Sequence, residues 1–101
     1  MKLFNKKTEF FTTECPDSIL QEVLGYFEEN GYTAKAADGK YKVKVEILSA
    51  EQAPVDITIK ILKGGADKYC VEFQRTAGDQ LDFFNVYKKI KEDLDLEDAT
   101  Y

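Results

Sequence analysis

This 101-residue chain holds two cysteines and nineteen Asp and Glu residues of the types that take part in hydrolytic, redox or metal chemistry. There is no histidine, which removes the Ser/His and Cys/His routes to an activated nucleophile and the commonest zinc ligand. Cys15 and Cys70 stand far apart and read as two reduced thiols with packing roles, a poor metal site and no disulfide framework. Gly64-Gly65 is not followed by Gly-Lys-Ser/Thr, so it reads as a hairpin turn and not as a phosphate cradle. Glu28-Glu29 and Asp93 with Asp95 are the right types for acid/base pairs, yet they fall on a polar helix face or near a tail, where solvated charge is the better reading. The expectation is a non-catalytic chain with no cofactor of its own.

What remains is binding, and three groups of residues could carry it. Lys40, Lys42 and Lys44 alternate with apolar residues and so project from one sheet face, beside Lys60 and Thr58 of the next strand. Such a row can meet lipid headgroup phosphates at about 1 kcal/mol per lysine, or it can simply keep a wet face soluble and free of edge aggregation. Lys88, Lys89 and Lys91 lie on the polar side of the last helix, where i,i+4 pairing accounts for them as well as anion binding does. Phe83 and Phe84 are about 100° apart on that helix, so both cannot face the core squarely. Phe10 and Phe11 likewise point to opposite faces of a first strand, so one of them, with Phe84, could give an exposed aromatic anchor.

The elements that must position these residues follow from periodicity. Thr8 to Thr13 reads as a strand, and Pro16 suits the first turn of a helix whose Ile19, Leu20, Val23, Leu24 and Phe27 share one stripe. Gly31 ends that helix. Tyr32 to Ala36 is a short strand, and Asp38-Gly39 signals a two-residue hairpin turn. Tyr41, Val43, Val45 and Ile47, then Val55, Ile57, Ile59 and Ile61, then Tyr69, Val71 and Phe73 alternate with polar residues in three strands. Thr76-Ala77-Gly78 breaks the last of these. Asp79 is placed to cap a helix from Leu81 to Leu94, with Asp82 able to return the bond as in a capping box. Phe83, Tyr87, Ile90 and Leu94 form that helix's stripe, and Leu81 is expected to be half-buried. The fold class is α+β: an antiparallel sheet of four to five strands with two helices on one face, in the order β-α-β-β-β-β-α.

Length bounds the chain to one domain, residues 8–96, between a flexible extension 1–7 and an acidic tail 97–101. No apolar run approaches the ~20 residues of a membrane span, and Met1 to Asn5 lacks the apolar stretch of a signal peptide, so a cytoplasmic or nuclear location is expected. The formal charge is -5, unevenly spread: residues 76–101 hold seven acids against three lysines, a net -4. An acidic protein repels phosphate backbones, so nucleic acid is not an expected partner.

Taken in order, Phe10-Phe11-Thr12, Val71-Glu72-Phe73, Gly78-Asp79-Gln80-Leu81-Asp82-Phe83 and Tyr87-Lys88-Lys89-Ile90 resemble the marks of the kinase-associated-1 domain. This small domain lies at the C-terminus of Ser/Thr protein kinases, and the likeness is greatest to those of the checkpoint kinase and the plant kinases that interact with calcineurin-B-like proteins. The resemblance covers roughly residues 8–96. It implies regulation by contact, the domain docking on its own kinase domain or on a regulatory protein and holding activity down, with Phe10, Phe11, Gly78, Asp79, Leu81 and Phe84 as docking residues. ATP and Mg would then belong to the kinase domain. The alternative, from the lysine row itself, is a peripheral membrane module that binds anionic phospholipid through Lys40, Lys42, Lys44 and Lys60. Family members that bind such lipids often carry basic residues just after the Phe of the Gly-Asp-x-Leu-x-Phe stretch; Phe84 and Asn85 stand there instead. A free-standing adaptor is the third possibility.

Overall fold

Apolar residues at every second position of three long strands require a sheet with one dry face, and two amphipathic helices are available to cover it. The computed structural model describes residues 8–36, 41–65 and 67–94. The expected extension 1–7, the Asp38-Gly39 turn, Lys40 and the tail 97–101 lie outside them. The described elements are β1 (Glu9–Thr12), α1 (Pro16–Glu29), β2 (Ala34–Ala36), β3 (Lys42–Leu48), β4 (Pro54–Lys63), β5 (Tyr69–Ala77) and α2 (Gln80–Asp93). The strands form one antiparallel sheet in the order β1-β5-β4-β3-β2. The chain thus has the α+β architecture and element order that its periodicities predict.

The register aligns the apolar positions into rows under the helices. Val43 faces Ile59 and Ile59 faces Phe73, while Ile61 faces Val71 and Val71 faces Phe10. All are buried, together with Ile19, Val23 and Phe27 of α1 and Phe83, Tyr87, Ile90 and Leu94 at α2. Full burial of each such side chain contributes about 1.5–3 kcal/mol, so this single cluster dominates the stability of the domain. Phe73 meets Tyr87 edge-on at a centroid distance of 5.0 Å, which ties β5 to α2. Among the described residues no helix is long and apolar enough to cross a membrane.

The helix ends explain why the helices stop where they do. Pro16 opens α1, where its missing N–H costs nothing. Beyond Asn30, Gly31 turns left-handed at φ 82°. Its N–H bonds the Glu28 carbonyl at 3.2 Å and the Tyr32 N–H bonds the Phe27 carbonyl at 2.9 Å, the paired bonds of a Schellman stop. Tyr41 departs from expectation. It belongs by parity to the dry face but precedes β3, is 42% exposed, and donates its hydroxyl to the Asp17 carboxylate at 2.9 Å, linking the strand to the start of α1.

Gly78 joins β5 to α2 under two constraints at once. Its φ is +103°, and a Cβ there would lie 2.8 Å from the Pro54 carbonyl oxygen. Gly25, inside α1, has nothing within 4 Å of where a Cβ would stand. Gly78→Ala should therefore cost about 2 kcal/mol or more, whereas Gly25→Ala should add about 0.5–1 kcal/mol. Urea unfolding midpoints of the two variants, which must move in opposite directions, check this.

Candidate functional site

The β5–α2 junction is built mostly by local backbone needs. Near the end of β5 a bulge between Asp56 and Ile57 breaks the register with β4, and the Thr76 hydroxyl reaches the Asp56 carbonyl at 3.2 Å. The Arg75 guanidinium donates to the Gly78 carbonyl at 2.9 Å, and the Asp79 carboxylate accepts the Asp82 N–H at 3.0 Å, the forward half of the expected capping box. Gly78 and Asp79 thus have complete structural explanations. Leu81 does not. The expectation that it is half-buried is wrong: it is 66% exposed, because position 81 falls almost opposite the buried stripe of Phe83, Tyr87 and Ile90 on the helix. Phe84 is half-buried against the core, with its ring 6.4 Å from that of Tyr87 and the Lys88 ammonium 5.7 Å from its centroid.

In β1 the choice between the two phenylalanines is clear. Phe10 enters the core at 2% exposure, and Phe11 turns to the outer sheet face. There Phe11 is half-buried beside Cys70 and Leu62, with its ring over Gly64, where a Cβ would come within 2.7 Å of it. Phe11 and Phe84 therefore lie on opposite sides of the sheet and do not converge into one anchor. Lys91 places its ammonium 5.6 Å from the Phe10 ring centroid, and Lys89 pairs with Asp93 at 3.2 Å. Each lysine of α2 thus has a local role.

On the outer face Lys42, Lys44 and Lys60 do stand together. Lys42 lies directly opposite Lys60, and Lys44 opposite both Thr58 and Lys35. The row continues from Lys60 to Glu72 and from Glu72 to Glu9, while Glu46 faces Asp56 nearer the β3–β4 loop. The face is therefore basic toward β2 and β3 and acidic toward β1 and toward that loop. It is not the uniform basic plane that Lys40, Lys42, Lys44 and Lys60 suggested.

Sequence reasoning missed a cleft of about 430 Å³ at the end of the molecule where α1 finishes and α2 starts. Its walls include Asn30, Leu48, Glu51, Asp82, Asn85 and Val86, over a floor of Phe27, Ile47 and Ile90. The β3–β4 loop forms one wall, held by the buried Ser49, whose hydroxyl accepts the N–H groups of Glu51 and Ala53 at 3.2 Å each. Gln52 on this wall has φ 66°, uncommon for a residue with a side chain. Three segments distant in the chain supply the lining, and only the topology could have announced them: antiparallel order brings the end of β3, the end of α1 and the start of α2 to one pole.

The expectation of a packing role for both cysteines fails for one of them. Cys70 is buried, but Cys15 is exposed just before α1 and has no packing role. Its sulfur lies 3.3 Å from the Ser18 hydroxyl, and hydrogen bonds donated to the thiolate by that hydroxyl, then by the Ser18 backbone N–H, draw its pKa below the usual thiol value. Among the described residues no group of three or more His, Cys, Asp or Glu side chains could hold a metal ion.

The chain matches no family model and no curated protein. The surfaces described above carry an exposed Leu81, a half-buried Phe84, a lysine cluster and a cleft.

One polar link pins the helices that frame this cleft. The Tyr26 hydroxyl of α1 donates to the Asp93 carboxylate of α2 at 2.9 Å, and Lys89 shares the same oxygen. The bond from Tyr26, then that from Lys89, pulls the Asp93 pKa below its ordinary value, while burial and then the Asp93 carboxylate push the Tyr26 hydroxyl well above its own. Asp93 therefore adds stability that is present above its unfolded pKa and lost as pH falls through the lower folded pKa. Tyr26 adds stability that is present below its unfolded pKa and lost as pH rises beyond it. Asp93→Asn should flatten the loss of thermal stability below about pH 4, and Tyr26→Phe the loss above about pH 10. Melting temperatures followed across both limbs test the assignment.

Proposed function

We propose that this chain is a regulatory domain of the kinase-associated-1 type, acting in a Ser/Thr protein kinase by contact with the kinase domain or with a regulatory protein. The observation that carries the reading is Leu81. It lies within the Gly78 to Phe83 stretch that the resemblance marks for docking, and it is the most exposed of the large apolar side chains identified on the surface. Full burial of a leucine is worth about 1.5–3 kcal/mol, so roughly 1–2 kcal/mol remains for a partner to collect there. Phe84, one turn further along α2, can widen the contact. Gly78 and Asp79 would serve by fixing the start of α2 and hence the direction of Leu81, and Phe10 by holding β1 beneath the same helix. A domain tethered to its kinase needs little more, since a flexible linker supplies a millimolar effective concentration.

The exposure of Leu81 makes it the sharper test residue. Leu81→Arg should leave the melting temperature within about 2 °C of the parent, yet raise kinase activity in the longer chain that carries the domain. Equal activity with and without residues 8–96 would count against docking, as would the lack of an encoded His-Arg-Asp and Asp-Phe-Gly kinase segment upstream.

A second reading, binding of anionic phospholipid, has one specific observation in its favour. Lys35 faces Lys44 and Lys42 faces Lys60 across neighbouring strands, and like charges so placed destabilise a sheet. A cluster held at a cost is a reasonable place to look for an anionic partner. Lys44→Glu should stabilise the domain by roughly 0.5 kcal/mol by pairing with Lys35, and should abolish sedimentation with phosphatidylserine vesicles at low salt. Lack of sedimentation by the parent chain at low ionic strength removes this reading.

A further inference from the structure

The cleft between the end of α1, the β3–β4 loop and the first turns of α2 is open, floored by apolar side chains and bordered by exposed apolar residues. Leu48 lines it and is 45% exposed. Leu81 shares its helical stripe with Asn85, a lining residue, and so stands at the cleft's margin. Both leucines leave apolar surface in water that a partner side chain could cover.

Charge decides the chemistry of that partner. Glu51 and Asp82 line the cleft, and exposed Glu28, Glu29 and Asp79 occupy the chain segments that end beside it. The cation in the lining, Lys89, is paired with Asp93 at 3.2 Å, and Arg75, which keeps its charge while donating to the Gly78 carbonyl, is not among the lining residues. Carboxylates around an apolar depression focus a negative potential on it, which repels phosphates and attracts basic groups. We propose that this cleft binds a basic polypeptide segment bearing a large apolar side chain, the apolar group entering between Leu48 and Val86 and the lysines or arginines meeting Glu51 and Asp82. The proposal rests on the docking reading for its biological setting, and it names the surface of the kinase or regulator that would be engaged.

The test uses the 101-residue chain with a short lysine- and leucine-rich peptide, and a glutamate- and leucine-rich peptide of equal length as control. Saturable, salt-sensitive binding of the basic peptide alone is expected by fluorescence anisotropy, with amide shift changes confined to residues 47–52 and 81–90. The double variant Glu51→Lys/Asp82→Lys should weaken binding at least about tenfold. Leu81→Ser should weaken it as well, and Glu92→Lys, at an exposed carboxylate at the far end of α2, should leave it unchanged. Glu51, Leu81 and Glu92 are exposed and Asp82 is half-buried, so circular dichroism is used to check that each variant folds.

Equal binding of both peptides, insensitivity to Glu51→Lys/Asp82→Lys, or the same shift changes on adding phosphatidylserine vesicles overturns the proposal. Peptide binding together with unchanged kinase output on deleting residues 8–96 keeps the cleft and removes its kinase setting. Kinase restraint without peptide binding does the reverse and sinks the cleft.

Discussion

The sheet has one dry face, and every other feature answers to that. Val43, Val45, Ile47, Val55, Ile57, Ile59, Ile61, Val71 and Phe73 are all buried on one side of three neighbouring strands. A surface of that size needs more than one helix to cover it, and the chain supplies two with matching stripes. Both must lie on the same side, which leaves the other side to water and to whatever the lysines and carboxylates there attract. Antiparallel pairing then sends the strand ends to two poles, and the helices, each entering from a strand end, inherit opposite directions.

Given that frame, the junction between β5 and α2 separates structural need from surplus. The left-handed Gly78, the Asp79 cap and the Arg75 bond to the Gly78 carbonyl are what any chain would require to turn from a bulged strand into a helix beside Pro54. Leu81 is required by none of this. A helix buried through Phe83, Tyr87 and Ile90 gains nothing from a leucine on its opposite side, where a lysine or glutamate would serve solubility better. Its presence at 66% exposure is thus the local rule broken without an internal compensation, which is where function is sought.

Much of the fold was legible in the chain because its signals are redundant. The strands β3, β4 and β5 each announce themselves by alternation, the helices by stripes, and the ends by Pro16, Gly31 and Asp79. Side-chain placement was legible only where parity decides it. Parity alone left Phe10 and Phe11 undecided, since either register satisfies a single edge strand, and pairing of Phe10 with Val71 was needed to choose. Tyr41 and Leu81 depart from expectation for one reason: an apolar side chain is not buried where its element has not begun or has rotated away from the core. The cleft was illegible altogether, because no window of the sequence contains more than one of its walls.

The charge layout gives the molecule a preferred orientation. Lysines gather on the outer face toward β2 and β3, while carboxylates gather at the pole where α2 begins. A molecule divided in this way carries a field that turns a charged partner toward one approach before any contact forms. The two regions cannot serve the same ligand, since what one attracts the other repels. The lysine face suits phosphate or an acidic surface; the leucine-bordered pole suits a basic one. Leu81 sits at the acidic pole, so a contact made through it selects for a partner with positive charge around an apolar group. The same field disfavours pressing that pole against an anionic membrane.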